Sequence, residues 1–305
     1  LCLDGAPWTF AGVNAFQLAT WWSVNRGCGG QSSDAGLDAF FASLDRGSVV
    51  RFWAYQDFAV DKTTGALNWY PIDRVVAAAE RNGQRLLPVL GDQWAHCNGE
   101  QYKDAAFYAG GYRSTVAPGL RMTYHDWALA VVNRYGGSPA IAMWELLNEP
   151  EAPCSGGAAL LRAFFDDMGA RLRATGDRHL ISSGTLGGQQ CGLARSDYAT
   201  VHASAGIDVA SYHDYGNETV ALPADLATRL SQAAGLGKPL IVGEVGIVAG
   251  AGCSLSLSAR RDLMAAKQAA QTAAGVAGFL PWRWSETASG CSHDFTGADP
   301  LMGLL

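Results

Sequence analysis

Lysine is scarce in this chain. Only Lys62, Lys103, Lys238 and Lys267 occur in 305 residues, and the formal net charge is −6. With no basic run to neutralise phosphates, nucleic acid is excluded as the partner. Long apolar runs are missing too: nothing approaches the roughly 20 residues that a membrane-spanning helix needs. Seven cysteines are present, but no two have the CxxC spacing of a zinc or redox motif. Six histidines (His96, His125, His179, His202, His213, His293) show neither HxxxH nor HExxH spacing, so no metal or other cofactor is expected. No internal repeat, low-complexity tract or Pro-rich linker divides the chain, which reads as a single domain over residues 1–305.

What the chain does have is a regular alternation. Apolar residues make up 49% of it. Short apolar runs that read as strands buried on both faces recur at 8–14, 49–54, 85–90, 141–147, 179–183, 209–213, 240–244 and 278–282. Helix spacing fills the intervals at 34–46, 72–82, 123–135, 158–174, 196–203, 223–234 and 256–274. Eight strands with intervening helices predict an α/β fold, a (β/α)8 TIM barrel. The rival is a doubly wound sheet, which usually carries a Gly-rich phosphate loop after its first strand; Gly12-Val13-Asn14-Ala15-Phe16-Gln17 stands there instead. The irregular stretch from 91 to about 118 is the longest after any strand, and loops of that length are usually functional, here as a wall of a cleft.

Two glutamates end apolar runs: Glu149 in Trp144-Glu145-Leu146-Leu147-Asn148-Glu149-Pro150 and Glu244 in Leu240-Ile241-Val242-Gly243-Glu244. Barrel enzymes keep their chemistry at the C-terminal ends of the strands. A pair of carboxylates brought there from distant parts of a sequence suits glycoside hydrolysis, which needs a proton donor and a nucleophile or base on either side of one bond. Other polar and aromatic residues fall at the same end: Arg51 and Trp53, Asp92 and Trp94, Asn148, His213 and Tyr215, then Trp282 and Trp284. On this reading burial and a neighbouring like charge raise the pKa of Glu149 so that it carries a proton, and Arg51 keeps Glu244 ionised. His213 and Tyr215 donate to the carboxylates, and Asn148 reaches the sugar 2-OH. Glu145, inside its strand, must be paired with a partner such as an arginine and is read as structural. Asp92 and Asp214 fit substrate contact or loop capping equally. Ten tryptophans offer flat faces for pyranose rings, with Trp282 the favoured platform and Trp21 and Trp22 undecided between platform and packing.

This constellation resembles glycoside hydrolase family 5, within the clan of retaining (β/α)8 glycosidases. The resemblance rests on Trp144-Glu145-Leu146-Leu147-Asn148-Glu149-Pro150, Ser211-Tyr212-His213-Asp214-Tyr215, Gly243-Glu244-Val245-Gly246, Val50-Arg51-Phe52-Trp53 and Phe279-Leu280-Pro281-Trp282. It implies Glu149 as acid/base and Glu244 as nucleophile. The opening Gly5-Ala6-Pro7-Trp8-Thr9-Phe10-Ala11-Gly12-Val13-Asn14, with Arg51-Phe52-Trp53-Ala54 and Asp92-Gln93-Trp94, is most similar to the family's endo-β-1,4-mannanases. Departures exist: Glu151 stands where mannanases often have Arg, and Tyr212-His213-Asp214-Tyr215-Gly216 differs from their usual His-x-Tyr-Pro. An exo-acting β-glycosidase or diglycosidase, a β-glucanase, and a carbohydrate-binding protein without turnover therefore stay open beside the mannanase. The partner is an oligo- or polysaccharide, and the chain is expected to act as a monomer.

The cysteines bear on compartment. Six of the seven follow predicted strands, and pairing neighbouring loops gives Cys28–Cys97, Cys154–Cys191 and Cys253–Cys291 with Cys2 left over. Disulfides, and Leu1 where an initiator methionine would stand, point to a secreted protein. Asn217-Glu218-Thr219 is a glycosylation sequon that matters only in a eukaryotic host.

Overall fold

The strands form where the sequence concentrates Val, Ile, Leu and aromatic residues between turn signals. In the computed structural model they are β1 Phe10–Asn14, β2 Val49–Trp53, β3 Arg85–Val89, β4 Met143–Glu145, β5 Leu180–Ser182, β6 Ala210–Asp214, β7 Leu240–Gly246 and β8 Gly278–Trp282. The structure describes residues 1–3, 5–25, 27–97, 101–215, 218–288 and 290–305; Asn217 of the sequon and Gly216 lie outside them. All eight strands pair in parallel in the order β5-β4-β3-β2-β1-β8-β7-β6, and a bridge between Ser182 and Val209 closes the ring. The helices are α1 Asp34–Ala42, α2 Tyr70–Asn82, α3 Tyr124–Tyr135, α4 Gly157–Ala174, α5 Asp197–His202, α6 Ala224–Gly235 and α7 Leu257–Ala273, with a 3₁₀ turn Pro300–Leu304 after β8. This is the (β/α)8 barrel expected from the sequence, with element ends shifted by a few residues. None of the described helices is long and apolar enough to cross a membrane.

Local chemistry sets the helix starts. Ser33, Thr123 and Ser256 accept from the backbone N–H groups of Gly36, Asp126 and Ala259, capping α1, α3 and α7. An antiparallel ribbon of Cys2–Leu3 against Ala6–Pro7 precedes the barrel and went unseen in the sequence, because runs of two residues carry no periodicity.

The core has two parts. A large cluster packs the outer strand faces against the helices, with Phe52, Trp127, Trp144, Phe164 and Phe165 fully enclosed. A smaller one, Phe10, Val49, Leu87, Met143, Val209, Ile241 and Leu280, fills the N-terminal end of the barrel interior. Two residues further along β2 and β4 the same face carries Arg51 and Glu145, so the interior turns from apolar to charged within one pleat. At the C-terminal end, disulfides Cys28–Cys97, Cys154–Cys191 and Cys253–Cys291 tie the loops, with Cα atoms 5.2, 4.1 and 4.9 Å apart, and Cys2 is free and exposed. The pairing matches the one read from the sequence.

Candidate active site

A bulge sets the geometry. Both neighbours of β7 lose register at the same point: Tyr212 pairs with Val242 but His213 with Glu244, and Phe279 pairs with Val242 but Pro281 with Val245. Strand β7 therefore carries one extra residue at Gly243, and the extra residue re-aims Glu244. A Cβ at Gly243 would sit 3.0 Å from Ser211 Oγ and 3.2 Å from His213 Nε2, so a larger residue there would press on the imidazole. The displaced Gly243 carbonyl is satisfied by Asn14 Nδ2, which donates to it at 2.8 Å and to Leu280 O at 3.0 Å.

Arg51 holds the layer together. Fully buried, it donates to Glu145 Oε1 from Nε (3.0 Å) and Nη2 (2.6 Å), to Glu244 Oε1 from Nη1 (2.6 Å), to Asn14 Oδ1 (2.9 Å) and to Asn148 Oδ1 (2.7 Å). Burial opposes its charge, but Glu145 and Glu244 outweigh burial and hold its pKa above the ordinary value. Glu145, which also accepts from Ser182 Oγ, is the paired strand carboxylate that the sequence required. The remaining oxygen of Glu244 accepts from Tyr215 Oη at 2.6 Å. Burial first, and Glu244 second, keep that phenol protonated, with its pKa far above the usual phenolic range.

Glu149 leaves β4 with a φ of 51°, a left-handed conformation uncommon outside glycine and often found at functional positions. Its N–H donates to Gly184 O at 2.8 Å. Gly184 permits this close approach: a Cβ there would lie 1.9 Å from Leu147 O. The carboxylate is clasped from two sides, by Trp94 Nε1 donating to Oε2 at 2.7 Å and by His213 Nδ1 at 2.7 Å from Oε1. His213 Nδ1 also lies 3.7 Å from Glu244 Oε2. One oxygen of each glutamate and a ring nitrogen of His213 all lie within 4.8 Å of one another. So close an approach of two carboxylate oxygens suits the narrow spacing of a retaining pair better than the roughly 6.5–9.5 Å gap that inverting enzymes leave for water. The same three side chains are the group among the described residues that could hold a metal ion, and within it His213 Nδ1 and Glu149 Oε1 lie at hydrogen-bond distance.

The electrostatics correct one expectation. Burial does push Glu149 up, but the hydrogen bond and charge of His213, then Trp94, outweigh it and bring the carboxyl below its ordinary value. Burial opposes charge on His213, and the two glutamates overcome it and raise its pKa. Burial also raises Glu244, against His213 and Arg51. Both shifts favour His213 over Glu149 as the holder of the proton between them. His213 is the donor expected from the sequence; what burial and like charge alone leave out is how strongly that donor favours the ionised carboxylate.

The structure brings Arg51, Asn148, Glu149, His213, Tyr215, Glu244 and Trp94 into one network. Trp282 lies half-buried beside it, stacked on Phe16 (centroids 5.5 Å apart, planes at 6°) and 6.2 Å from the buried Trp53. Trp284 does not join them: 6% exposed, it packs 4.1 Å from Phe40 of α1. Two residues beyond Trp282 it would share that face only in a continuing strand, and β8 stops at Trp282. Trp21 packs on Tyr70 and Arg74 of α2. Asp214 pairs with Lys267 at 2.9 Å and is structural. Asp92, undecided in the sequence, is a fully buried junction: Oδ1 accepts from Asn148 Nδ2 (2.8 Å), and Oδ2 from the N–H groups of Trp94 (3.1 Å) and His96 (2.8 Å). Asn14 was not singled out in the sequence; its one signal was a polar residue ending an apolar run.

A family model described as Cellulase (glycosyl hydrolase family 5) matches residues 11–285. The chain belongs to glycosyl hydrolase family 5. It is therefore a retaining glycoside hydrolase, as the spacing of the two glutamates fits. Among curated family 5 relatives, it is 23% identical to mannan endo-1,4-beta-mannosidase A of Aspergillus aculeatus, over 94% of this chain and 80% of that protein. It is 25% identical to mannan endo-1,4-beta-mannosidase 8 of Oryza sativa subsp. japonica, over 81% and 77%. Among solved structures, the endo-1,4-beta-mannanase from Rhizomucor miehei shares its fold, with a TM-score of 0.73 at 17% identity, covering 99% of this chain and 94% of the other.

Proposed function

We propose that the protein is a secreted, monomeric endo-β-1,4-mannanase that works by double displacement, with Glu244 as nucleophile and Glu149 as acid/base. The observation that carries the reading is the unequal setting of two neighbouring carboxylates. Glu244 is held by Arg51 and Tyr215, donors that fix its rotamer and favour its charge. Glu149 is held by Trp94 and by His213, a group able to hand it a proton. Glu244 attacks the anomeric carbon while Glu149, recharged through His213 Nδ1, protonates the departing glycosidic oxygen. Glu149 then takes a proton from the water that releases the glycosyl-enzyme. Asn148 uses one amide hydrogen on Asp92, which leaves the second for the sugar 2-OH. Trp282 supplies the flat face for the ring under attack, and Trp53, expected from the sequence to touch substrate, is buried behind it as packing. No step calls for a cofactor. The names of the curated relatives support mannan as substrate, and three disulfides support secretion.

The test is azide rescue. Glu149→Ala should lose about 10²–10⁴-fold on mannan, keep turnover of dinitrophenyl glycosides, and form a β-glycosyl azide when azide is added. Glu244→Ala should lose turnover of both substrates and yield no β-azide. Equal responses of the two variants would reverse or refute the roles, and wild-type preference for cellulose or laminarin over mannan would refute the substrate.

A further inference from the structure

The loop after β3 carries a side chain that the reaction scheme above does not use. We propose that His96 is a further substrate-binding residue, which hydrogen-bonds through Nε2 a hydroxyl of the saccharide lying on Trp282. The proposal rests on the reading of Glu149 and Glu244 as the reacting pair, and it concerns the wall beside them.

Three observations carry it. First, the ring is aimed. Asp92 Oδ2 takes both the backbone N–H of His96 (2.8 Å) and its Nδ1 (3.1 Å), so Nδ1 carries a hydrogen and Nε2 is left for a ligand. Second, the loop is held in an unfavourable shape to do this. Ala95 and Cys97, on either side, have φ of 65° and 60°, values non-glycine residues seldom adopt. Asp92 and the Cys28–Cys97 disulfide hold that shape, and local strain so maintained clusters at ligand sites. Third, the place is right. The imidazole stacks on Trp53 at 5.9 Å and 19°, and Trp53 in turn meets Trp282. Its side chain is 54% exposed, whereas Asp92 behind it is fully buried and shared with Asn148, the neighbour of Glu149. Asp92 chiefly, with Glu149 and Glu244 adding to it, holds the imidazole above its ordinary pKa, which favours Nε2 as a donor.

The alternative is a loop brace, with the Asp92 contact as its whole purpose. Two variants separate them. In His96→Asn the amide takes the place of Nδ1 and keeps the brace but not the distal donor. In His96→Gln the amide reaches the position of Nε2. Kinetics are read on whichever β-glycan the wild-type protein cleaves fastest, so a wrong assignment of mannan shows in the wild type and not in the variant ratios. His96→Ala and His96→Asn are expected to lose about 10- to 100-fold in kcat/KM, the scale of a hydrogen bond to a charged group, mostly through KM. His96→Gln should recover most of the loss, and Tm should stay close to wild type in all three. Wild-type kinetics in His96→Asn with loss in His96→Gln would establish the brace and overturn the proposal. So would kcat/KM within twofold of wild type in His96→Ala.

Discussion

Met143 and Glu145 stand two residues apart on the inward face of β4, and their surroundings have nothing in common. Met143, fully buried, packs in the N-terminal end of the barrel among Phe10, Val49, Leu87 and Ile241. Those contacts are non-directional, so another apolar side chain of similar volume can serve. Glu145, equally buried, has one guanidinium partner and one serine. Its contacts are directional and counted, and Arg51, which supplies most of them, is shared with Glu244, Asn14 and Asn148. The lower layer stabilises the barrel, while the upper layer holds charge in place for chemistry, at a cost in desolvation that only complete pairing offsets.

Removing the shared member is the most direct way to break this contrast. Arg51→Met would leave Glu145 and Glu244 buried without their cation. Breaking a buried pair in this way typically costs about 3–5 kcal/mol of stability. Activity should fall by roughly two to three orders of magnitude as well, because the nucleophile loses a preorganised donor. Adding Glu145→Gln to Arg51→Met should restore part of the stability and none of the activity. Urea unfolding beside kcat/KM reads both; a double variant that regains turnover would show that Arg51 acts on Glu145 alone.

The lower layer gives the converse. Met143→Ala should cost about 2–5 kcal/mol through the cavity it leaves. The folded fraction should keep kcat/KM within about threefold of wild type, since the charged layer above keeps all its partners. A large loss of kcat/KM in fully folded Met143→Ala would mean that the two layers are coupled and that the contrast is false.

The same contrast explains what the sequence could reveal. Apolar runs and helical spacing gave eight strands and seven helices, because burial on both faces leaves a compositional mark that survives small errors of boundary. Polar residues ending those runs marked Arg51, Asn148, Glu149, His213, Tyr215 and Glu244 as neighbours. What stayed hidden depends on one-residue details. The extra residue at Gly243 is invisible without the partner strands, and so is the resulting pairing of His213 with Glu244. The same is true of Trp284, whose facing turns on where β8 stops. Asp92 and His96 lie in a loop with no period, where spacing says nothing about direction.

The smallest expected effect tests the pairing of His213 with Glu149 through the pH dependence of stability. His213 has a raised pKa in the folded protein, so its contribution is fully present below the unfolded value near 6.5 and is lost as pH rises through the higher folded value. Glu149 has a lowered one, so its contribution is present above the unfolded value near 4.5 and is lost as pH falls through the folded value. Glu244, raised by burial, runs the other way and favours the folded protein at low pH, but it does so with or without an imidazole beside it. The stability difference between wild type and His213→Gln should therefore be greatest between about pH 4.5 and 6.5 and shrink on both sides. Denaturant unfolding of both proteins from pH 4 to 8 measures it. A difference that grows above pH 7 would mean that His213 is neutral in the folded state and Glu149 holds the proton, and the resting charge assigned to this pair would have to be exchanged.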